Sequence, residues 1–219
     1  MISVVIPTVN AERLLPRCFD SLIAAAVRGV VREVIVVDAG SGDATLAIAD
    51  GAGAHILHSR KGRAQQFITG AAAAKSDWLL FLHPETALEP GWEVEAESFL
   101  AQAVLERPRA AVFRFALEDF GGEARRAEAK AALRTALFAL PYGDQGLLIP
   151  KRLYRRLGGY RAIGAMEDAD MIRRIGRRRL VSLRARAVNV ARQPKSALRA
   201  LAHAVLLALR VPSRVVAKL

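Results

Sequence analysis

The chain has 219 residues, 53% apolar and 25% charged, which is enough for one large domain with a real core and excludes disorder as the overall state. A single cysteine, Cys18, excludes an internal disulfide, a CxxC motif and a four-cysteine zinc site. The net charge of +12 is lopsided: residues 151–219 carry +15 and residues 1–150 carry −3, which points either to an anionic partner or to a solvated arginine-rich surface.

In chain order, Ile2–Ile6 reads as a buried strand ended by Pro7, and Glu12–Val27 as a helix with Leu14, Leu15, Cys18, Leu22 and Ile23 on its apolar face. Glu33–Val37 is a second strand, Asp43–Asp50 a short helix, Ala54–Leu57 a third strand, Gly62–Ala74 a helix and Trp78–Leu82 a fourth strand. Continuous apolar strands alternating with helices predict βαβ units and a parallel sheet covered on both faces. Beyond them the pattern predicts a helix over Gly91–Glu106, a strand over Ala111–Leu117, a helix over Glu123–Leu140 stopped by Pro141, and a short strand over Gly146–Ile149. Helices at Lys151–Leu157, Met166–Arg178 and Ser196–Val211 complete the reading. The expected organisation is one domain, residues 1–195, with a helical tail, residues 196–219. No apolar run approaches the roughly 20 residues of a spanning helix. Nothing basic precedes the apolar start, so a cytoplasmic globular protein is expected.

In an open α/β sheet, ligands bind beyond the carboxyl ends of the strands. The residues there are Pro7-Thr8-Val9-Asn10, Asp38-Ala39-Gly40-Ser41-Gly42-Asp43 and His83-Pro84-Glu85-Thr86. The first turn holds no glycine, which disfavours a dinucleotide fingerprint, and no P-loop motif occurs. Asp38 can accept hydrogen bonds from a ribose or base, or it can begin an Asx turn. Arg60-Lys61-Gly62-Arg63, at a helix start, suits a diphosphate or is a solvated basic loop. His83 and Glu85 can hold a divalent cation or simply flank a turn made by Pro84. Glu167 and Asp170 suit the positive end of a helix dipole, and Asp170 has Arg173 and Arg174 as partners three and four residues on. Asp168 shares a stripe with Ile172 and Ile175, so it faces inward and is a candidate base or a cap.

The series Val4-Val5-Ile6-Pro7-Thr8-Val9-Asn10, Val34–Thr45, Gly62-Arg63-Ala64-Gln65-Gln66, Asp77–Thr86, Pro141–Gly146 and Met166-Glu167-Asp168 resembles the family 2 glycosyltransferases of GT-A fold. His83 and the PYGDQG segment look most like the radical-SAM/selenodomain-associated type 2 subgroup. The resemblance implies a Rossmann-like, mostly parallel α/β sheet with helices on both faces. It implies binding of a nucleoside-diphosphate sugar by Pro7, Thr8, Asn10, Asp38, Gly40, Arg60, Lys61 and Arg63. It also implies a divalent cation, Mn²⁺ or Mg²⁺, at the loop of His83 and Glu85, where the family carries Asp-x-Asp. Asp168 matches the general base, and Gly143, Asp144, Gln145 and Glu167 lie toward the acceptor. The implied reaction is inverting transfer to an acceptor hydroxyl. The family's Gln-x-x-Arg-Trp element has no Trp here, the corresponding residues being Ala191-Arg192-Gln193-Pro194-Lys195.

Two alternatives stay open. One is a non-catalytic relative that binds a nucleotide or an anionic surface. The other is a sugar-nucleotide pyrophosphorylase, which is expected to have a glycine-rich first loop that Pro7–Arg13 lacks. Nucleic acid is not an expected partner, because no Phe, Trp or Tyr follows Tyr160 in the basic region. The tail carries an apolar stripe at Leu198, Leu201, Ala202, Val205, Leu206 and Leu209 beside Arg199 and Arg210. That stripe suits packing on the main domain, a homodimer, or peripheral docking on an anionic membrane at its inner face.

Overall fold

The structure is a computed structural model and describes residues 1–105, 108–118, 126, 145–163 and 166–190. Its elements are β1 (Ile2–Thr8), α1 (Leu15–Val27), β2 (Val31–Asp38), α2 (Thr45–Gly51), β3 (His55–His58), α3 (Arg63–Ala73), β4 (Trp78–Phe81) and β5 (Thr86–Leu88). Then come α4 (Trp92–Leu105), β6 (Ala110–Leu117), β7 (Leu147–Pro150), α5 (Lys151–Arg156), α6 (Glu167–Ile175) and β8 (Leu180–Asn189). The strands form one sheet in the order β3-β2-β1-β4-β7-β6-β8-β5. β1 to β4 pair in parallel, as expected from their unbroken apolar runs. β7 runs antiparallel to both β4 and β6, β8 runs parallel to β6, and β5 runs antiparallel to β8. The sheet is therefore mixed in its second half.

This pairing sets where chemistry can gather. The carboxyl ends of β1, β2, β3, β4, β6 and β8 all point to one edge, and the antiparallel β5 and β7 begin at that edge. Thr8, Asp38, the 59–62 loop, His83–Glu85, Gln145 and Val190 therefore share one rim. The sheet is buried on both faces, because alternate residues of each strand point opposite ways. Val4 and Ile6 pack with Leu15, Cys18, Leu22 and Trp92 on the side of α1 and α4. Val5 and Val37 pack with Phe67, Phe81, Tyr160 and Met171 on the side of α3, α5 and α6. The helix α3 lies so close that a Cβ built at Gly70 would sit 2.3 Å from Val5 Cγ1 and 3.0 Å from Val37 Cγ2. Only glycine fits there.

Three expectations are corrected. Pro7 does not end the first strand: it pairs with Val37 inside β1. Val5 O accepts from Leu82 N on the β4 side, and Pro7, two residues on, turns its missing N–H to that same side just past the last β4 rung. The helix expected over Met166–Arg178 stops at Ile175, because Gly176 adopts φ +79°; a single 3₁₀ turn, Arg177–Arg179, then leads into β8. β5 and β8 are strands where none was expected. β8 carries a register irregularity opposite Val112–Arg114, and Glu95 of α4 closes it by accepting from Arg184 N and Ala185 N, both at 2.8 Å. Apart from Arg126, which is helical, the helix expected over Glu123–Leu140 lies outside the described residues, as do the Ala191–Lys195 element, the tail helix, Gly143 and Asp144. Among the described residues no helix is long and apolar enough to cross a membrane.

Candidate active site

The first part of the rim is built by interlocking the turns after β1 and β2. Asp38 is 1% exposed, and its carboxylate receives four donors. Thr8 Oγ1 (3.0 Å) and Ser41 Oγ (2.5 Å) reach Oδ1, while Gly40 N (2.9 Å) and Ser41 N (2.8 Å) reach Oδ2. Burial alone pushes this carboxyl up, but the Ser41, Gly40 and Thr8 hydrogen bonds outweigh it and hold Asp38 below its ordinary value. Asn10, at φ +50°, donates its N–H to Ser41 Oγ and accepts from Gly42 N. Gly40, at φ +92°, makes the turn possible. Asp38 thus forms the Asx turn considered above while sitting at the strand tip. Asp43, one residue before the Ala44 cap of α2, accepts from Thr45 N at 3.0 Å and so supports the helix start. Gln66, buried on α3, donates to Thr8 O (2.9 Å) and Val37 O (2.7 Å), and so ties the helix to the open ends of β1 and β2.

The second part joins residues far apart in sequence. Arg63 at the start of α3 donates from Nε to Glu167 Oε1 at the start of α6, 2.6 Å away. Glu167 opens α6, where an acid suits the helix dipole as expected, and at 2% exposure it is also a buried anchor for Arg63. The Arg63 side chain stays 44% exposed. Burial acts to lower its pKa, but Glu167, Asp168 and Glu85 around it raise it on balance. Arg60 and Lys61 are exposed on the same loop. Asp170 is buried and paired with Arg174 at 2.7 Å, as its spacing predicted, with Arg161 at 3.7 Å. Gln145 points into the sheet and donates to Phe113 O at 2.8 Å.

At the centre lies His83, buried between two carboxylates. Its Nδ1 is 3.8 Å from Glu85 Oε1 and its Nε2 is 3.8 Å from Asp168 Oδ2. Both separations are too long for hydrogen bonds, and they bring the imidazole within ion-pair range of each carboxylate when it is protonated. Tyr160 Oη donates to Asp168 Oδ1 at 3.0 Å. Burial acts to lower the His83 pKa and to raise that of Asp168. Their mutual attraction wins: His83 is held above and Asp168 below its ordinary value, with Arg63 adding to the effect on Asp168. The flanking His83 and Arg63 and the Tyr160 hydroxyl thus favour the charged form of this carboxylate. It faces inward on the stripe with the buried Ile172 and Ile175, as read from the spacing.

Among the described residues no group of three or more His, Cys, Asp or Glu side chains is placed to hold a metal ion. Two donors are nonetheless adjacent. Ligands each about 2.1 Å from one cation can lie 3.8 Å apart, so His83 Nδ1 and Glu85 Oε1 fit as a partial set. The mixed nitrogen and oxygen pair suits a transition ion such as Mn²⁺ better than Mg²⁺. The sequence reading missed Gln66, Tyr160 and Asn189. Tyr160 carried a signal, being the last aromatic residue and eight residues before Asp168; Asn189 sits in a strand that was not recognised, accepting from Thr86 Oγ1 at 2.6 Å.

A family model described as Glycosyl transferase family 2 matches residues 3–118. A TPR repeat-containing protein of Synechococcus elongatus is 36% identical over 116 residues, and the chain spans about a quarter of that protein's length. Glucosyl-3-phosphoglycerate synthase from Mycobacterium tuberculosis, solved with Mn²⁺, UDP and glucosyl-3-phosphoglycerate, matches with a TM-score of 0.66 and 21% identity, over 97% of this chain and 81% of that one. The same enzyme solved with Mg²⁺ and UDP matches with a TM-score of 0.66 and 22% identity, over 97% and 80%. The likeness to these structures is one of fold, and the expected GT-A-like α/β architecture is borne out.

Proposed function

The chain belongs to glycosyl transferase family 2, and from that premise we propose that it moves a sugar from a nucleoside-diphosphate sugar to an acceptor hydroxyl, with inversion at the anomeric carbon. The observation that carries this reading is the meeting of Arg63, His83, Glu85 and Asp168 on the rim beside the Thr8–Asp38 loops. A basic loop, a candidate cation pair and a candidate base then lie together on one rim, the combination that displacement of a diphosphate requires.

The acceptor oxygen attacks the anomeric carbon as the bond to the diphosphate oxygen breaks, and the electron pair leaves with the diphosphate. Asp168 takes the hydroxyl proton. Arg60, Lys61 and Arg63 neutralise the departing phosphates; the Glu167 contact steadies Arg63 through Nε while the side chain keeps its outer surface. A divalent cation held by His83 and Glu85 would add Lewis-acid stabilisation of the same leaving group. The structural neighbours that hold UDP with Mn²⁺ or Mg²⁺ support a donor and cation of this kind. The resemblance assigns Gly143, Asp144, Gln145 and Glu167 to the acceptor side, and of these Glu167 is held against Arg63. His83 also supports placement in the radical-SAM/selenodomain-associated subgroup, and the division at residues 195 and 196 is retained as a working boundary.

The test is a panel of UDP-, GDP-, ADP- and dTDP-sugars with Mn²⁺, read by release of nucleoside diphosphate. Asp168→Asn should lower kcat by about 10²–10⁴-fold while donor affinity stays near wild type. Equal loss of binding and turnover would make the residue structural. Donor binding without release from any sugar in the panel would favour the non-catalytic reading.

A further inference from the structure

We propose that Tyr160 is the positioning residue for Asp168, setting the plane in which that carboxylate meets the acceptor; the inference rests on the reading of Asp168 as the base. A carboxylate turns easily about its last torsion, which is broad and roughly two-fold. Among the described residues, the hydrogen bond that holds this carboxylate comes from outside α6. Tyr160 Oη donates to Asp168 Oδ1 at 3.0 Å, while Asp168 Oδ2 faces His83.

The phenol can do this because it is itself fixed from three directions. Its ring is stacked on Phe67, with centroids 4.8 Å apart and planes 24° apart, and stands edge-on to Phe81 at 5.0 Å. Its backbone N–H donates to Tyr154 Oη at 3.1 Å. The turn before it is clamped by Arg174, which donates to Leu157 O and Gly159 O, both at 2.7 Å, while pairing with Asp170. A buried tyrosine needs a partner for its hydroxyl, and Asp168 could serve only that need. The two roles separate cleanly: if Asp168 merely satisfies the phenol, deleting the hydroxyl leaves turnover intact. If the phenol aims the base, misplacing the carboxylate slows chemistry without touching the donor site.

Tyr160→Phe keeps the ring and removes the hydroxyl. With hydrolysis of the preferred sugar nucleotide of the panel as the assay, UDP-glucose first and water as the acceptor, kcat should fall about 10–10²-fold while donor KM stays within about twofold. The melting temperature should stay near wild type. Wild-type kcat overturns the inference, and so does a loss of kcat that is matched by loss of donor affinity and of thermal stability. Asp168→Asn is run in parallel. If it turns over like wild type, or if no protein releases diphosphate from any donor, the transferase reading itself fails. If it is inactive while Tyr160→Phe is normal, only the positioning role fails. Should Tyr160→Phe not fold, Phe67→Leu removes the stacking surface beneath the phenol: a reduced kcat with retained donor KM supports the role, and an unchanged kcat overturns it.

Discussion

Asp38 carries more of the rim than its single charge suggests. Its four hydrogen bonds join the ends of β1 and β2 and fix the turn between Ala39 and Gly42. Because these donors hold its folded pKa below the unfolded value of about 3.9, the stability it contributes is complete above that value. That contribution fades as pH falls through the lower, folded value. Thermal melts from pH 7 to pH 3 should therefore show a steeper loss for wild type than for Asp38→Asn, and parallel curves would show that the carboxylate is not the acid-sensitive group. At pH 7 the Asn variant should be less stable by about 1–3 kcal/mol, since its amide cannot accept all four bonds. The position of Asp38 was legible, because an acid ending an apolar strand before Gly-Ser-Gly marks a turn at the sheet edge. Its partners were not legible: nothing local says that Thr8 lies across the ladder.

At the scale of elements, β8 shows what a sequence hides in plain view. Leu183 and Ala187 are buried, while Ser182, Arg184 and Arg186 between and beside them are exposed, the alternation of a strand with one face in the core. Arginine density drew the eye toward a solvated surface instead. β5, three residues long, is too short to show any period and is defined only by pairing with β8. The irregularity in β8 depends on Glu95, whose two oxygens take the N–H groups of Arg184 and Ala185. Glu95→Ala removes both bonds, leaving the half-buried Ala185 N–H without its acceptor while the exposed Arg184 N–H turns to water. Stability should drop by about 1–3 kcal/mol, or roughly 2–10 °C in Tm for a chain of this size. Amide exchange at Arg184 and Ala185 should quicken ahead of their neighbours; exchange that stays uniform along β8 would show that the clamp is dispensable.

Across the whole molecule, the Arg63–Glu167 pair links residues 104 positions apart and ties the strand-and-helix units of the first half to the helix that carries Asp168. Glu167→Gln removes the charge and keeps the shape. Donor KM should rise about three- to tenfold as Arg63 loses its anchor, with a smaller change in kcat, which steady-state kinetics on the preferred sugar nucleotide would measure. An unchanged KM would mean that Arg63 reaches the diphosphate without help. The parallel half of the fold was readable to within three residues at each boundary, because β1, β2 and β4 carry apolar runs and each strand is followed by a helix or a turn. The second half was less so: short mixed strands and a buried acid such as Glu167 are specified by partners and not by neighbours in the chain. Gly70 belongs to this scale as well. With no side chain at that point, α3 beds directly against Val5 and Val37. The helix works as a shim of minimum thickness, and even one methyl group there would push α3 off the sheet and carry the arginine at its leading end away from the carboxylate of Glu167.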